Sequence, residues 1–239
     1  MKALAQSRDL LLKRGTRRLL LGLWLTCWSI GSLTYADELT PTQAAQATEI
    51  QCNNLVYALG KTSVCFADHF LTTAAQQTSL PISKQFHAVQ LGSDKVFDSP
   101  FTVISGNGSF RFTDQERKNL RQYLTCGGFL LASPGCSDSA WDASFRSELK
   151  QILPEAQIKK IPMSHPLFST VYRIPTLNLK SGGTTLVEGI ELNGRIVMIH
   201  SAEGLNDAHH ASGCCCCGGN QILESEHVNV NILLYALLN

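Results

Sequence analysis

No G-x-x-x-x-G-K-[ST] pattern occurs in the 239 residues, so the chain lacks the phosphate loop of nucleotide hydrolases. Charge is scarce, at 16% Asp, Glu, Lys and Arg, and no basic stripe gathers it. Six of the 20 Lys and Arg, but only one of the 19 acids, fall before residue 37, leaving 14 against 18, or −4, beyond it. A surface of that sign does not neutralise phosphates, and no nucleic acid is expected as a partner. No internal repeat or low-complexity tract interrupts the chain, which excludes a repeat array. Zinc-finger spacing is also missing. The cysteines stand singly or in one run of four, and adjacent cysteines cannot easily reach one tetrahedral ion together.

What is present begins with the first residues. Lys13, Arg14, Arg17 and Arg18 precede a charge-free stretch from Leu19 to Ala36, and the small residues Thr34 and Ala36 stand before Asp37. This is the pattern of a signal peptide over 1–36, predicting export to the periplasm or cell envelope and a mature chain from Asp37. An uncleaved N-terminal segment would be the one contact with a membrane. "TRRLLL" is similar to a twin-arginine signal, the alternative to the general secretory route. Loss of Cys27 from nine cysteines leaves eight, an even number that permits disulfides in an oxidising compartment.

Residues 37–51 are polar and aperiodic and read as a linker. From 52 to 239, about the size of one core, strand-like runs alternate with amphipathic stretches, predicting a single domain. The strand-like runs are "NLVYAL", "FHAVQL", "FTVISG", "GFLLAS", "QIKKIP", "TTLVEGIEL" and "RIVMIHS". Between them, Phe66, Phe70, Leu71 and Ala74 share one helical face, as do Trp141, Phe145, Leu149 and Ile152. Thr113 with Glu116 makes a capping box that opens a helix, and Gly127 closes it. "HVNVNILLYALL" predicts a last helix with an apolar face. The alternation implies an α/β fold of the flavodoxin-like kind: a three-layer sandwich with a mostly parallel, doubly wound sheet.

The segments "SPFTVISGNGSFRFTDQERKNLRQYLTCGGFLLASPG", "SFRSELKQILPE", "IPMSHPLFSTVYRI" and "GIELNGRIVMIHSAEGL" together resemble the bacterial family called domain of unknown function 4159. The resemblance covers most of Leu55 to Asn239. It implies a fold like that of class I glutamine amidotransferases, and it lends no activity. Two departures from those enzymes stand out. Their nucleophile sits in G-x-C-x-G, whereas "SPGCSDS" offers Gly135 and Cys136 with Asp138 in place of the second glycine. Their histidine and glutamate are close in sequence, whereas His200 and Glu203 are three apart.

In an open parallel sheet, ligands lie beyond the carboxyl ends of the strands. Cys65, "GNGS", Cys136, His165, His200 with Glu203, and the cysteine-rich loop 207–220 are all expected at that edge; Cys126 is not, and Cys52 precedes the first strand. Three functions follow. The loop is a metal site on Cys214, Cys217, His209 and His210, completed by Cys65 or Cys136, with zinc or copper as the soft ion. Alternatively Cys65 and Cys136 pair with the run and staple the loop over the edge, worth roughly 3 to 5 kcal/mol. Or Cys136, at a helix N-terminus that favours thiolate, is the nucleophile of a hydrolase or amidase, with His165 or His200 as base. The same edge also suits an envelope protein-interaction module. The ordinary expectations for neighbouring residues are that His165 anchors a loop, that the glycines of "GNGSF" make a turn, and that Glu188 and Glu191 pair with Arg195.

Overall fold

Each strand run is short and apolar enough to be covered on both faces, and each amphipathic run carries one apolar stripe to cover it. A computed structural model describes residues 49–62, 66–206 and 222–239 of the chain. Its strands are β1 (Ile50–Val56), β2 (Ile82–Gln90), β3 (Phe101–Ile104), β4 (Phe129–Ala132), β5 (Lys159–Lys160), β6 (Leu177–Asn178), β7 (Thr184–Thr185), β8 (Glu188–Leu192) and β9 (Arg195–His200). Its helices are α1 (His69–Gln77), α2 (Asp114–Thr125), α3 (Ser139–Ile152) and α4 (Ser225–Leu238).

Seven strands form one sheet in the order β2-β1-β3-β4-β9-β8-β5. The first five are mutually parallel, and β8 runs antiparallel to both β9 and β5. The parallel set has the flavodoxin-like, doubly wound order, in which the chain reverses its direction of winding between β1 and β3. Two apolar clusters lie on opposite faces of the sheet. One joins α1 and α4 to Cys52, Phe101, Phe129, Leu131 and Ile199; the other joins α2 and α3 to Leu55, Ile104, Leu130 and Met198. Alternate residues of β3 and β4 go to alternate clusters, as the two-residue period of a strand requires.

The helix ends follow local chemistry. Thr113 accepts from the Glu116 amide at 3.2 Å while the Glu116 carboxylate accepts from the Thr113 amide at 2.7 Å, a reciprocal box. Gly127, at φ +102°, turns the chain out of α2. Asp138 caps α3 through the Trp141 amide at 2.8 Å. The expected face of α3 is buried: Trp141, Phe145, Leu149 and Ile152 are each at most 2% exposed.

Four expectations need correcting. "NLVYAL" is not all strand. β1 starts at Ile50, inside the span taken as linker, and ends at Val56, after which Ala58, Leu59 and Gly60 turn at positive φ. Cys52 therefore lies within β1 and is fully buried. "TTLVEGIEL" divides between β7, which pairs with β6 in a small hairpin, and β8. Helix α4 has no solvent stripe over most of its length: Val228 to Ala236 are all buried.

Candidate functional site

The loops that leave the carboxyl ends of the parallel strands are bonded to one another. The Gly135 amide donates to the Gly106 carbonyl at 2.8 Å, linking the exits of β4 and β3. The Asn107 amide, set nitrogen inward, donates to the carbonyls of Gly106 at 2.9 Å and Gly135 at 3.2 Å. Lys61, after β1, donates to the Asn107 carbonyl at 3.0 Å. Below them Trp141 donates to the Tyr57 hydroxyl at 2.6 Å, and that hydroxyl donates to the Ser105 carbonyl at 3.0 Å. Gly106 has no room for a side chain here. A Cβ would strike the Tyr57 hydroxyl and stand 3.0 Å from the Trp141 indole nitrogen.

The exit of β9 folds onto the same rim. The Leu205 amide donates to the Ser133 hydroxyl at 3.0 Å and the Asn206 side chain donates to the Pro134 carbonyl at 3.1 Å. Both acceptors belong to the turn from β4 into α3. In that turn Cys136 has φ +53° and ψ +32°, and Ser137 has φ +53°. Left-handed backbone costs a residue with a Cβ about 1 to 2 kcal/mol, so the packing around this elbow imposes the shape. Cys136 is half-buried just ahead of the α3 cap. Among the described residues the free thiols are Cys52 and Cys126, and Cys136 has no free, titrating thiol. Burial pushes the Cys52 thiol up to about 12. Cys126 is exposed at the end of α2, away from the rim, as expected.

The sequence placed His165 on this rim, and the structure puts it elsewhere. Its Nδ1 accepts from the Leu167 amide at 3.1 Å, and its ring packs edge-on against Tyr235, 5.4 Å between centroids. The Tyr235 hydroxyl accepts from the Ile196 amide, near the start of β9. His200 ends that strand and pairs with Ala132 at the rim, so His165 lies toward the far end, roughly 13 Å down four residues of strand. Burial lowers its pKa, with the Glu191 carboxylate opposing. It anchors a loop and is not brought to Cys136. The other residues named for a metal, Cys65, His209, His210, Cys214 and Cys217, lie outside the described residues. Among the described residues, no group of three or more His, Cys, Asp or Glu is arranged to hold a metal ion.

A second feature was not legible in the sequence. The His200 ring is fully buried, stacked 5.4 Å from Phe145 at 17°, with Trp141 stacked beyond at 5.0 Å. Its Nε2 lies 2.9 Å from an Asp142 oxygen and its Nδ1 3.6 Å from a Glu188 oxygen. Arg146 ties the two carboxylates together, with Nε 3.0 Å from Asp142 and Nη2 2.6 Å from Glu188. Burial of His200 disfavours its charge and the nearby Arg146 opposes it too, but the Asp142 and Glu188 carboxylates outweigh both and raise its pKa. In return, His200 and then Arg146 hold Glu188 down to about 2, and Asp142 also falls below the usual carboxylate range. The expected pairing of Glu188 with Arg195 is absent. Arg195 instead donates to the carbonyls of Gly127 and Ala236. Nε2 thus faces a carboxylate, Nδ1 faces both a carboxylate and the Arg146 guanidinium at 3.5 Å, and Glu203 is not among the partners of His200.

Three of the quartet, Arg146, Glu188 and His200, floor a cleft of about 510 Å3 that residues of β5 and of the β6-β7 hairpin also line. Lys160 and Glu203 stand on its walls with Thr184 and Thr185.

No curated protein matches the chain. A family model described as a domain of unknown function matches residues 63–237, from beyond β1 to the last turn of α4. That span holds the elbow, the quartet and the cleft walls, and on it the chain belongs to the family of domains of unknown function DUF4159.

Proposed function

We propose that the chain is an exported domain whose rim is closed by its cysteine-rich loop, with Cys136 as the anchor. The observation that carries this reading is the bonding of Leu205 and Asn206 to the Cys136 elbow, because the cysteine-rich segment starts at the next residue. The chain therefore enters that segment beside Cys136. The absence of a free thiol at Cys136, when Cys52 and Cys126 are free, supports a cross-link. A disulfide from Cys136 to the run would close a loop of roughly 80 residues, worth about 4 to 5 kcal/mol against the unfolded chain. The metal form of the same reading uses Cys214 and Cys217 with His209 or His210 on zinc or copper. With the loop fixed, the domain presents the rim to another envelope component. Peptide mapping of non-reduced protein, with zinc and copper measured on the same sample, tests this. Cys136 joined to Cys65 or to a cysteine of the run, or a stoichiometric metal, is the expected result. A free Cys136 without metal overturns it.

One observation favours a second reading, a thiol hydrolase. A cysteine held at φ +53° between a strand and a helix N-terminus has the strained geometry of a nucleophile elbow. Its base would have to come from outside the described residues, since His165 is distant and His200 is engaged by Asp142 and Glu188. Selective alkylation of Cys136 by iodoacetamide in reduced, folded protein is the expected sign, and no such labelling rejects it.

A further inference from the structure

The cleft beside the β6-β7 hairpin adjoins the rim at His200 and Glu203, but no cysteine lines it. Its floor charges are engaged with one another: Arg146 with Asp142 and Glu188, His200 with the same two carboxylates. Two charges on its walls are not. Among the described residues, Lys160, exposed on β5 and opposite Glu188 in the ladder, forms no ion pair, and Glu203, three residues after His200, likewise has no partner. Thr184 and Thr185 also line the cleft, their hydroxyls without a hydrogen bond among the described residues, and Met163, Leu177 and Leu186 supply apolar lining. At about 510 Å3 the cleft has the size of a small-ligand site.

We propose that this cleft binds a small aminocarboxylate zwitterion with an apolar side chain, a free amino acid or a dipeptide. The ligand carboxylate meets Lys160, its ammonium meets Glu203, and its side chain lies on Met163, Leu177 and Leu186. A ligand of one sign would leave one of the two wall charges facing a like charge, or nothing. A zwitterion answers both, and the threonine hydroxyls serve either end. The engaged floor favours the same class, because its charges hold each other in place and leave the two wall charges to meet a ligand.

Calorimetric titration of the full chain with L-leucine and with L-leucyl-L-leucine tests this, the two probes separating amino acid from dipeptide. Saturable binding of at least one is expected. Acetylating its amine or amidating its carboxylate weakens binding at least about tenfold, the scale of one lost charge-assisted hydrogen bond. K160A and E203Q, both away from the core, weaken it by a similar factor and leave thermal unfolding unchanged. Absence of saturable heat from both probes up to about 10 mM, weaker than millimolar, overturns the proposal. Equal binding of the masked ligands, or full binding by both variants, also overturns it. None of these results bears on the state of Cys136, so the two sites stand or fall separately.

Discussion

Replacing Glu188 with Gln keeps the shape of the side chain and removes one of the two negative charges that hold the His200 proton. The carboxylate accepts from Arg146 at 2.6 Å and lies 3.6 Å from His200. A hydrogen bond to a charged group contributes about 1.5 to 3 kcal/mol, and the amide oxygen of Gln retains part of it. Arg146 also keeps its contact with Asp142. The expected loss is therefore about 1 to 2 kcal/mol near pH 6. The pH profile separates this mechanism from a simple packing defect. His200 has a folded pKa raised above 6.5, so its contribution is fully present below 6.5 and is lost as pH rises through the folded value. Glu188 is lowered from 4.5 to about 2, so its contribution is present above 4.5 and is lost as pH falls toward 2. The wild type thus gains from the pair between those limits, and in E188Q the Glu188 share of the acid limb disappears, that of Asp142 remaining, while the alkaline limb moves to lower pH. Urea unfolding from about pH 3 to about pH 9, with the His200 ring titration followed by NMR, measures both. An E188Q variant with the same stability profile and the same His200 titration refutes the coupling.

Three further outcomes follow. Glu116 is 5% exposed and accepts from the amides of Ala58 at 2.8 Å and Thr113 at 2.7 Å, so E116A strands two N–H groups. It should cost about 2 to 4 kcal/mol in chemical denaturation, with E116Q between it and wild type. F145A empties a fully buried site beside His200 and should cost about 3 to 5 kcal/mol, with a displaced His200 ring-proton shift as the local marker. Iodoacetamide at about pH 8 should label Cys126 in folded protein and reach Cys52 only after unfolding, since burial holds the Cys52 thiol near 12; mass spectrometry of the digest reads this.

The sequence was most legible where a local rule decides. The Thr113–Glu116 box, the Gly127 stop and the apolar face of α3 depend on residues within a turn or two of each other, and all are present. Strand direction was less legible. "LNGR" carries an Asn193-Gly194 hairpin signal, with both residues at positive φ, that makes β8 antiparallel to β9. The alternation of strands and helices gave no weight to it. α4 had no face to find, because a helix lying between α1, the sheet and the chain around Phe168 is covered nearly all round. The quartet could not be seen at all. Asp142 and Arg146 lie on α3, 42 and more residues before Glu188 and His200, and only the docking of α3 on the β8-β9 pair joins them. Proximity in sequence favoured Arg195 instead, but Arg195 opens β9 and its side chain is held by backbone carbonyls at the other end of the strand.

The outermost strand beyond β8 is two residues long, and both of them, Lys159 and Lys160, are exposed. A stray chain seeking to extend the sheet on that flank would have to bring its backbone against two cations that lose hydration without gaining an anion. The border is thus hostile to unwanted templating, and it keeps neighbouring copies from growing into a shared ribbon at high concentration.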